Sequence, residues 1–321
     1  MSRRVEPTIT RREALLRLSS TVAAAAAVGA GVVAFHDRRT VTAAPAAIPD
    51  WRTPPGGQGP AAAARGADPA ANVRRAIAAI GGIGRFVRPG ESVLIKPNVG
   101  WDRIPEQAAD TDPTVVAELV RLCRGAGARR VVVADISCND PRRCFASSGI
   151  LAAAGAAGAE VLDARRLRLV PAGLSGLAEG LEVVEELLRA DRVINVPVVK
   201  HHSLSRVTIG MKNWFGVLGQ GRNRLHQDID MAVAELGAIF RPTLTVVDAT
   251  RVLTANGPVG GSLADVRAVG AVLAGTDPVL ADAWGAALLG HRPDALGFIA
   301  RAEQRGLGRS DLALITELGT A

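Results

Sequence analysis

Short apolar runs alternate along this chain with stretches whose apolar positions recur at helical spacing. The runs at 92–95, 130–134, 160–162, 192–196, 244–247 and 268–273 are continuous and brief, the pattern of strands buried on both faces. Helices are expected between them, at 68–80, 112–124, 147–157, 184–189, 230–239 and 278–289. Three of these open on an Asp-Pro pair: Asp68-Pro69, Asp112-Pro113 and Asp277-Pro278. The carboxylate accepts a free N–H of the first turn, and proline needs none there. Strands alternating with helices predict an α/β fold, with a mainly parallel sheet covered by helices on both faces. In such sheets a ligand sits beyond the carboxyl ends of the strands.

That rule selects residues. Lys96, Asn98, Asp135, Lys200, His202 and Asp248 each fall at or just after the end of a predicted strand. A single crevice can therefore gather them although they lie far apart in the chain. Gly257 belongs to a glycine-rich stretch, 254–261, whose backbone N–H groups can face an anion. The stretch lacks both the Walker lysine pattern and the dinucleotide glycine spacing.

Composition sharpens the choice. The chain holds 38 Lys and Arg residues, and only Lys96, Lys200 and Lys212 are lysines. Arginine stays charged, whereas a buried lysine can lose its proton and act as base or nucleophile. Lys200 and Lys212 share a window with His201, His202 and, shortly after, His226. Trp214 and Phe215 beside Lys212 favour a partly desolvated amine with a lowered pKa. His226 with Asp228 and Asp230 reads either as a set of metal donors or as a capping group before the next helix.

Hydrophobic residues make up 48% of the 321 and charged residues 21%, a composition that buries a large core. Aromatic residues are 3%, with no tyrosine, which leaves few platforms for stacking bases. The net charge of +7 sits mostly in residues 1–44, where seven arginines face three acids. The remainder carries no electrostatic footprint for a polyanion, so no nucleic-acid partner is expected.

The leader reads Arg11-Arg12, an apolar run from 21 to 35, and small residues from 41 to 47. These are the parts of a twin-arginine export signal. The expected organisation is a signal peptide at 1–47, a Pro/Gly/Ala-rich linker at 48–68 and an α/β domain at 69–321. The Tat translocase is then a partner, the destination is the periplasm or the exterior, and no stable membrane span remains after cleavage. Cys138 and Cys144 flank a polar loop, and nothing in the sequence fixes whether they pair.

The segment from Asp191 through Pro197, Lys200 and His202, then Lys212-Asn213 and Gly216, with His226 downstream, resembles the domain of unknown function 362 family. Lys96-Pro97-Asn98, Asp248, Asn256-Gly257-Pro258 and Asp277-Pro278 match it as well, so the resemblance spans roughly 90–318. Many members add four clustered cysteines for an iron–sulfur cluster, and none is expected here because the segment is missing. A more remote similarity is to nickel-pincer enzymes of the lactate-racemase type. It implies Lys212 as the attachment of a nickel-containing nucleotide, His226 as a nickel ligand and His202 as an acid/base group. Where that family has a second acid/base histidine, this chain has Ser137 and Cys138.

Together these readings give an exported protein with a Lys/His-lined crevice for a small anionic ligand, a transition metal or an organometallic cofactor. His202, Lys212 and Lys200 are the expected catalytic groups, and His226 and Asp228 the expected metal donors. Lys96, Asn98, Asp135, Asn213, Asp248 and Gly257 are the expected ligand-binding residues. The alternative is a periplasmic ligand-binding protein or cofactor carrier without catalysis.

Overall fold

The computed structural model describes residues 45–53 and 61–319. Of the expected signal peptide at 1–47, residues 1–44 lie outside the described residues. From the first strand on, the elements run β1 (Ala61–Arg65), α1 (Pro69–Ala79), β2 (Ser92–Pro97), α2 (Pro113–Gly125), β3 (Arg130–Ala134), α3 (Pro141–Ser147), α4 (Ile150–Ala156) and β4 (Glu160–Leu162). A small hairpin, β5 (Leu169–Pro171) with β6 (Glu182–Val184), leads to α5 (Glu185–Arg189). Then follow β7 (Arg192–Val196), β8 (Val198–His202), β9 (Arg206–Thr208), α6 (Ile229–Ile239), β10 (Leu244–Leu253), β11 (Val266–Gly275), α7 (Pro278–Leu288), α8 (Gly297–Gln304) and β12 (Ile315–Leu318).

One large sheet carries the fold, in the order β12-β1-β11-β10-β7-β2-β3-β4, with β8 on β10 and β9 on β8. The neighbours from β10 through β7, β2 and β3 to β4 are all parallel. The chain builds outward from β2 to β3 and β4, then returns to lay β7 on the other side of β2. That reversal makes a topological switch point, where carboxyl ends diverge and leave a crevice.

Alternate residues of each strand feed two cores. Val93, Ile95, Val131, Val133, Ile194 and Val246 face α1, α2 and α4 through Ile77, Leu119 and Ile150. Leu94, Val132, Val193, Val247 and Leu273 face the other way, toward α6, α7 and α8 through Leu236, Leu280 and Ile299. Helices thus cover both faces, as the alternation predicts. The three Asp-Pro starts are caps: Asp68 accepts from Ala70 N at 2.9 Å, Asp112 from Thr114 N at 2.8 Å, and Asp277 from Val279 N and Leu280 N at 2.9 Å.

Three differences have physical causes. The expected linker at 48–68 contains β1, whose four alanines are wholly buried between antiparallel β11 and parallel β12. Small side chains fit a strand squeezed between two neighbours, and their composition hides it among prolines and glycines. The expected helix at 147–157 starts only at Ile150, because Gly149 takes a left-handed φ of 73° and separates it from α3, a helix at Pro141–Ser147 that the pattern did not predict. Finally, β10 and β11 form a long antiparallel hairpin, so the parallel core carries an antiparallel flank. Among the described residues no helix is long and apolar enough to cross a membrane.

Candidate functional site

The crevice at the switch point has a volume of about 430 Å³. Its walls include Asn98, Asp135, Lys200, His202, Lys212 and His226, which the strand-end rule or the Lys/His window points to, and Asn213, which the family resemblance points to. Trp101, Cys138, Phe215, Arg222, Pro258 and Val259 also line it. Lys96 lies sealed beneath, and Asp248, Gly257 and Asp228 stand outside the wall.

The segment that bears Lys212 is pinned from below. Gly210 N donates to Asp282 Oδ1 at 2.6 Å and Met211 N to Oδ2 at 3.2 Å, while Asn195 Nδ2 holds Gly210 O at 2.9 Å. Asp282 sits on α7 and is fully buried, and burial pushes its carboxyl up to about 7. Residues Lys212–Val217 then turn as a short 3-10 helix against the ends of β2 and β3. A side chain at Gly216 has no space: a Cβ there would come within 1.9 Å of Asp135 Oδ1.

The three lysines differ sharply in their surroundings. Lys96 Nζ donates to Asp135 Oδ1 at 2.6 Å, Pro97 O at 2.8 Å and Asn213 Oδ1 at 3.1 Å. All three of its protons are therefore used, and Asp135 Oδ2 accepts Val99 N at 2.7 Å. Burial lowers the Lys96 pKa, and the Asp135 charge opposes that shift. Lys200 Nζ donates to Asn98 Oδ1 at 2.9 Å and to Ala109 O. Burial lowers its pKa too, opposed by the nearby Asp110 charge, whose own carboxyl burial pushes upward.

Lys212 has neither an acceptor within hydrogen-bonding distance nor an ion pair among the described residues. Its Nζ stands 3.4 Å from the centre of the Phe215 ring, a cation–π contact. Burial brings it to about 7; Cys138 counteracts this, whereas Lys200 and Arg222 add to it. At neutral pH a substantial share of this amine carries a free lone pair.

The two histidines take opposite roles. His202 Nδ1 accepts Leu204 N at 3.1 Å and Ser205 N at 3.4 Å, so its lone pair is occupied and its proton belongs on Nε2. Burial, with Lys212 and Lys200 nearby, holds its pKa down at about 3. His202 is then a neutral hydrogen-bond donor rather than the expected acid/base group. His226 Nδ1 faces Asn223 O at 3.2 Å, and since a carbonyl only accepts, the proton belongs on Nδ1. That leaves Nε2 as an open lone pair on a ring tilted against Phe215 at 5.1 Å. Burial lowers the His226 pKa.

Residues 93–287 match the family described as Domain of unknown function (DUF362). The chain belongs to the DUF362 family. Every residue of the crevice wall falls inside the matched span. The chain is also similar to the thylakoid-associated protein sll1697 of Synechocystis sp. (strain ATCC 27184 / PCC 6803 / Kazusa), 28% identical over 249 residues that cover 74% of this chain and 75% of that protein.

Several expected site residues of this DUF362 chain have structural posts instead. Asp248 accepts Asp112 N at 2.7 Å and Thr250 N at 2.9 Å, which braces the start of α2. Gly257 packs on β8, with Gly257 N donating to His201 Nδ1 at 3.1 Å and no space for a Cβ beside His201 O. It positions Pro258 and Val259, which do line the crevice. Asp228 caps α6 through Met231 N at 3.1 Å, and Asp230 accepts Phe298 N at 3.2 Å.

That capping removes the expected partner of His226, and the described residues hold no group of three His, Cys, Asp or Glu side chains placed to hold a metal ion. The described residues thus offer no cluster of three side-chain donors to a bare metal ion, while Lys212 and the His226 Nε2 lone pair both face the crevice. All three cysteines are free, with Cys138 exposed and Cys123 and Cys144 buried.

Sequence reasoning passed over Arg222 and Asp110. Arg222 donates to Phe215 O at 2.8 Å and Ile136 O at 3.2 Å, joining the 3-10 turn to the loop after β3. It is one of many arginines, and only its place just after the Gly219–Gly221 turn marks it. Asp110 accepts Gly100 N at 2.7 Å, and its Oδ2 is buried without a partner among the described residues. Nothing in its local sequence signals that position.

Proposed function

We propose that the crevice binds a small anion and supports acid/base chemistry on it, in a protein exported through the twin-arginine route. One observation carries the reading: Lys200, Lys212 and Arg222 face one crevice, and none of them has a carboxylate within ion-pair distance among the described residues. Its carboxylate Asp135 is already paired with Lys96 below the floor. A mostly buried wall with uncompensated cations is stabilised when an anion enters, because desolvated charge is costly alone and strongly attracted to its opposite. His202 Nε2–H adds a neutral donor, and the His226 Nε2 lone pair with the Lys212 amine supplies proton acceptors.

The His202 arrangement also favours a second reading, a binding protein without catalysis, since its ring is locked as a donor. Calorimetric titration with oxalate and with inorganic phosphate tests the anion site. Stoichiometric binding that weakens about tenfold or more in Lys212→Met supports it, a loss on the scale of one charge-assisted contact. Equal binding by wild type and variant, or none by either, removes it. Export is checked by fractionating cells that carry the chain with Arg11→Lys and Arg12→Lys, which should retain it in the cytoplasm.

A further inference from the structure

We infer that the anion taken by the crevice also carries a carbonyl group, and that Lys212 condenses with that carbonyl carbon to form an imine. The substrate class is a small 2-oxo acid or an aldehyde bearing a carboxylate or phosphate. This rests on the anion-binding reading and adds the covalent step.

The argument starts from the unequal use of the three amines. Lys96 spends all three N–H bonds on Asp135, Pro97 O and Asn213, and Lys200 is held by Asn98 and Ala109 O. Among the described residues only Lys212 reaches the crevice with no acceptor to orient its N–H groups or to hold it as an ammonium, and it rests instead on the Phe215 ring. An ammonium in that position is opposed by burial and by the charges of Lys200 and Arg222, so the neutral amine is the form the site favours. The same two cations remain to hold the anionic end of a ligand, with His202 Nε2–H beside them.

The step balances without any oxidant or reductant. The Lys212 lone pair attacks the carbonyl carbon and the C–N bond forms, while the carbonyl oxygen takes a proton to become the hydroxyl of a carbinolamine. The C–O bond then breaks, the oxygen leaves as water and the nitrogen gives up its remaining proton. His226 Nε2 is the open lone pair available to move these protons, since His226 and Lys212 stand on the same Phe215 ring. The imine nitrogen then draws electrons from the neighbouring carbon, which readies it for proton exchange or loss of carbon dioxide.

The test uses the full exported chain, glyoxylate as probe and sodium cyanoborohydride to reduce any imine, read by intact mass and peptide mapping. The expected result is one carboxymethyl group on Lys212, trapped at pH 7 about 100-fold faster than on free N-acetyl-lysine, as the lowered basicity implies. Oxalate should suppress the trapping, and Lys212→Arg should show no adduct while keeping the wild-type circular dichroism spectrum. If that variant does not fold, suppression of wild-type trapping by oxalate decides the matter. Oxalate binding without trapped adduct overturns the condensation and leaves the anion site standing. Adduct confined to the amino terminus, or on Lys212 at the free-lysine rate, also overturns it. Failure of oxalate and glyoxylate to bind at all removes both readings.

Discussion

Replacing Lys96 by Met and Lys212 by Met removes one buried amine in each case, yet the two changes should move stability in opposite directions. Lys96 is wholly buried and its three acceptors lie at 2.6, 2.8 and 3.1 Å. Its loss strands the Asp135 carboxylate, with only Val99 N and no counter-charge, at a cost of about 3–5 kcal/mol. Lys212 is the reverse case, because its pKa falls from 10.5 unfolded to about 7 folded. A base with a depressed folded pKa is penalised once protonated. The penalty is absent above the unfolded value, grows as pH falls and is complete below the folded value. It amounts to about 5 kcal/mol at pH 6 and about 2 kcal/mol at pH 9. The lost cation–π contact and the imperfect fit of methionine offset part of that, leaving a net gain of about 1–3 kcal/mol at pH 6 that shrinks toward zero by pH 9. Urea unfolding followed by circular dichroism at both pH values reads these quantities. A Lys212→Met loss matching that of Lys96→Met, or a Lys212→Met effect indifferent to pH, would refute the assignment of one lysine to structure and the other to the crevice.

Oxalate affinity should fall as pH rises through about 7, because Lys212 then loses its charge and the Lys200 ammonium, its pKa also lowered by burial, follows, while the neutral His202 changes little and His226 and Cys138 flank the same space; titration calorimetry from pH 6 to 8.5 checks it, and Lys212→Met should remove the part of the decline centred near 7. Asp282→Asn should reduce the decline in stability between pH 4 and pH 8, since a carboxyl raised to about 7 stabilises the fold fully below its unfolded value of 3.8 and loses that contribution as pH rises; unchanged pH dependence in urea unfolding would count against it. Gly216→Ala should destabilise by about 3 kcal/mol or more, as its Cβ meets Asp135 and Lys96 Nζ, and a melting temperature equal to wild type would show that the floor yields freely.

What the sequence disclosed was the part of the fold written in local chemistry. Asp68, Asp112 and Asp277 announce their helices because a cap acts within a few residues of itself. The buried valines of β2, β3 and β7 announce strands because both faces are covered. Strand β1 was hidden, since its alanines owe their place to β11 and β12, about 200 and 250 residues along the chain, and no local periodicity reports such partners. The site divides in the same way. Strand ends locate Asn98, Asp135, Lys200 and His202, but the state of each group depends on contacts made at a distance. His202 looks like an acid/base residue until Leu204 N and Ser205 N occupy its Nδ1. Asp228 looks like a metal donor until its oxygen caps α6.

The restriction to three lysines follows from where they sit. A fully buried cation must find an acceptor for every N–H, and arginine brings five in a plane where lysine brings three about a point. The pocket under β2 offers Lys96 three acceptors, all used; an arginine there would leave donors stranded and would collide with the floor that Gly216 already touches. Lys200 has two acceptors and borders the crevice. Lys212 has none and opens into it. Acceptors thus thin out from floor to crevice while burial stays nearly constant, and the amine left without partners among the described residues is one whose proton the surroundings hold loosely. A surface arginine elsewhere in this chain meets no such limit, because water completes its hydrogen bonds.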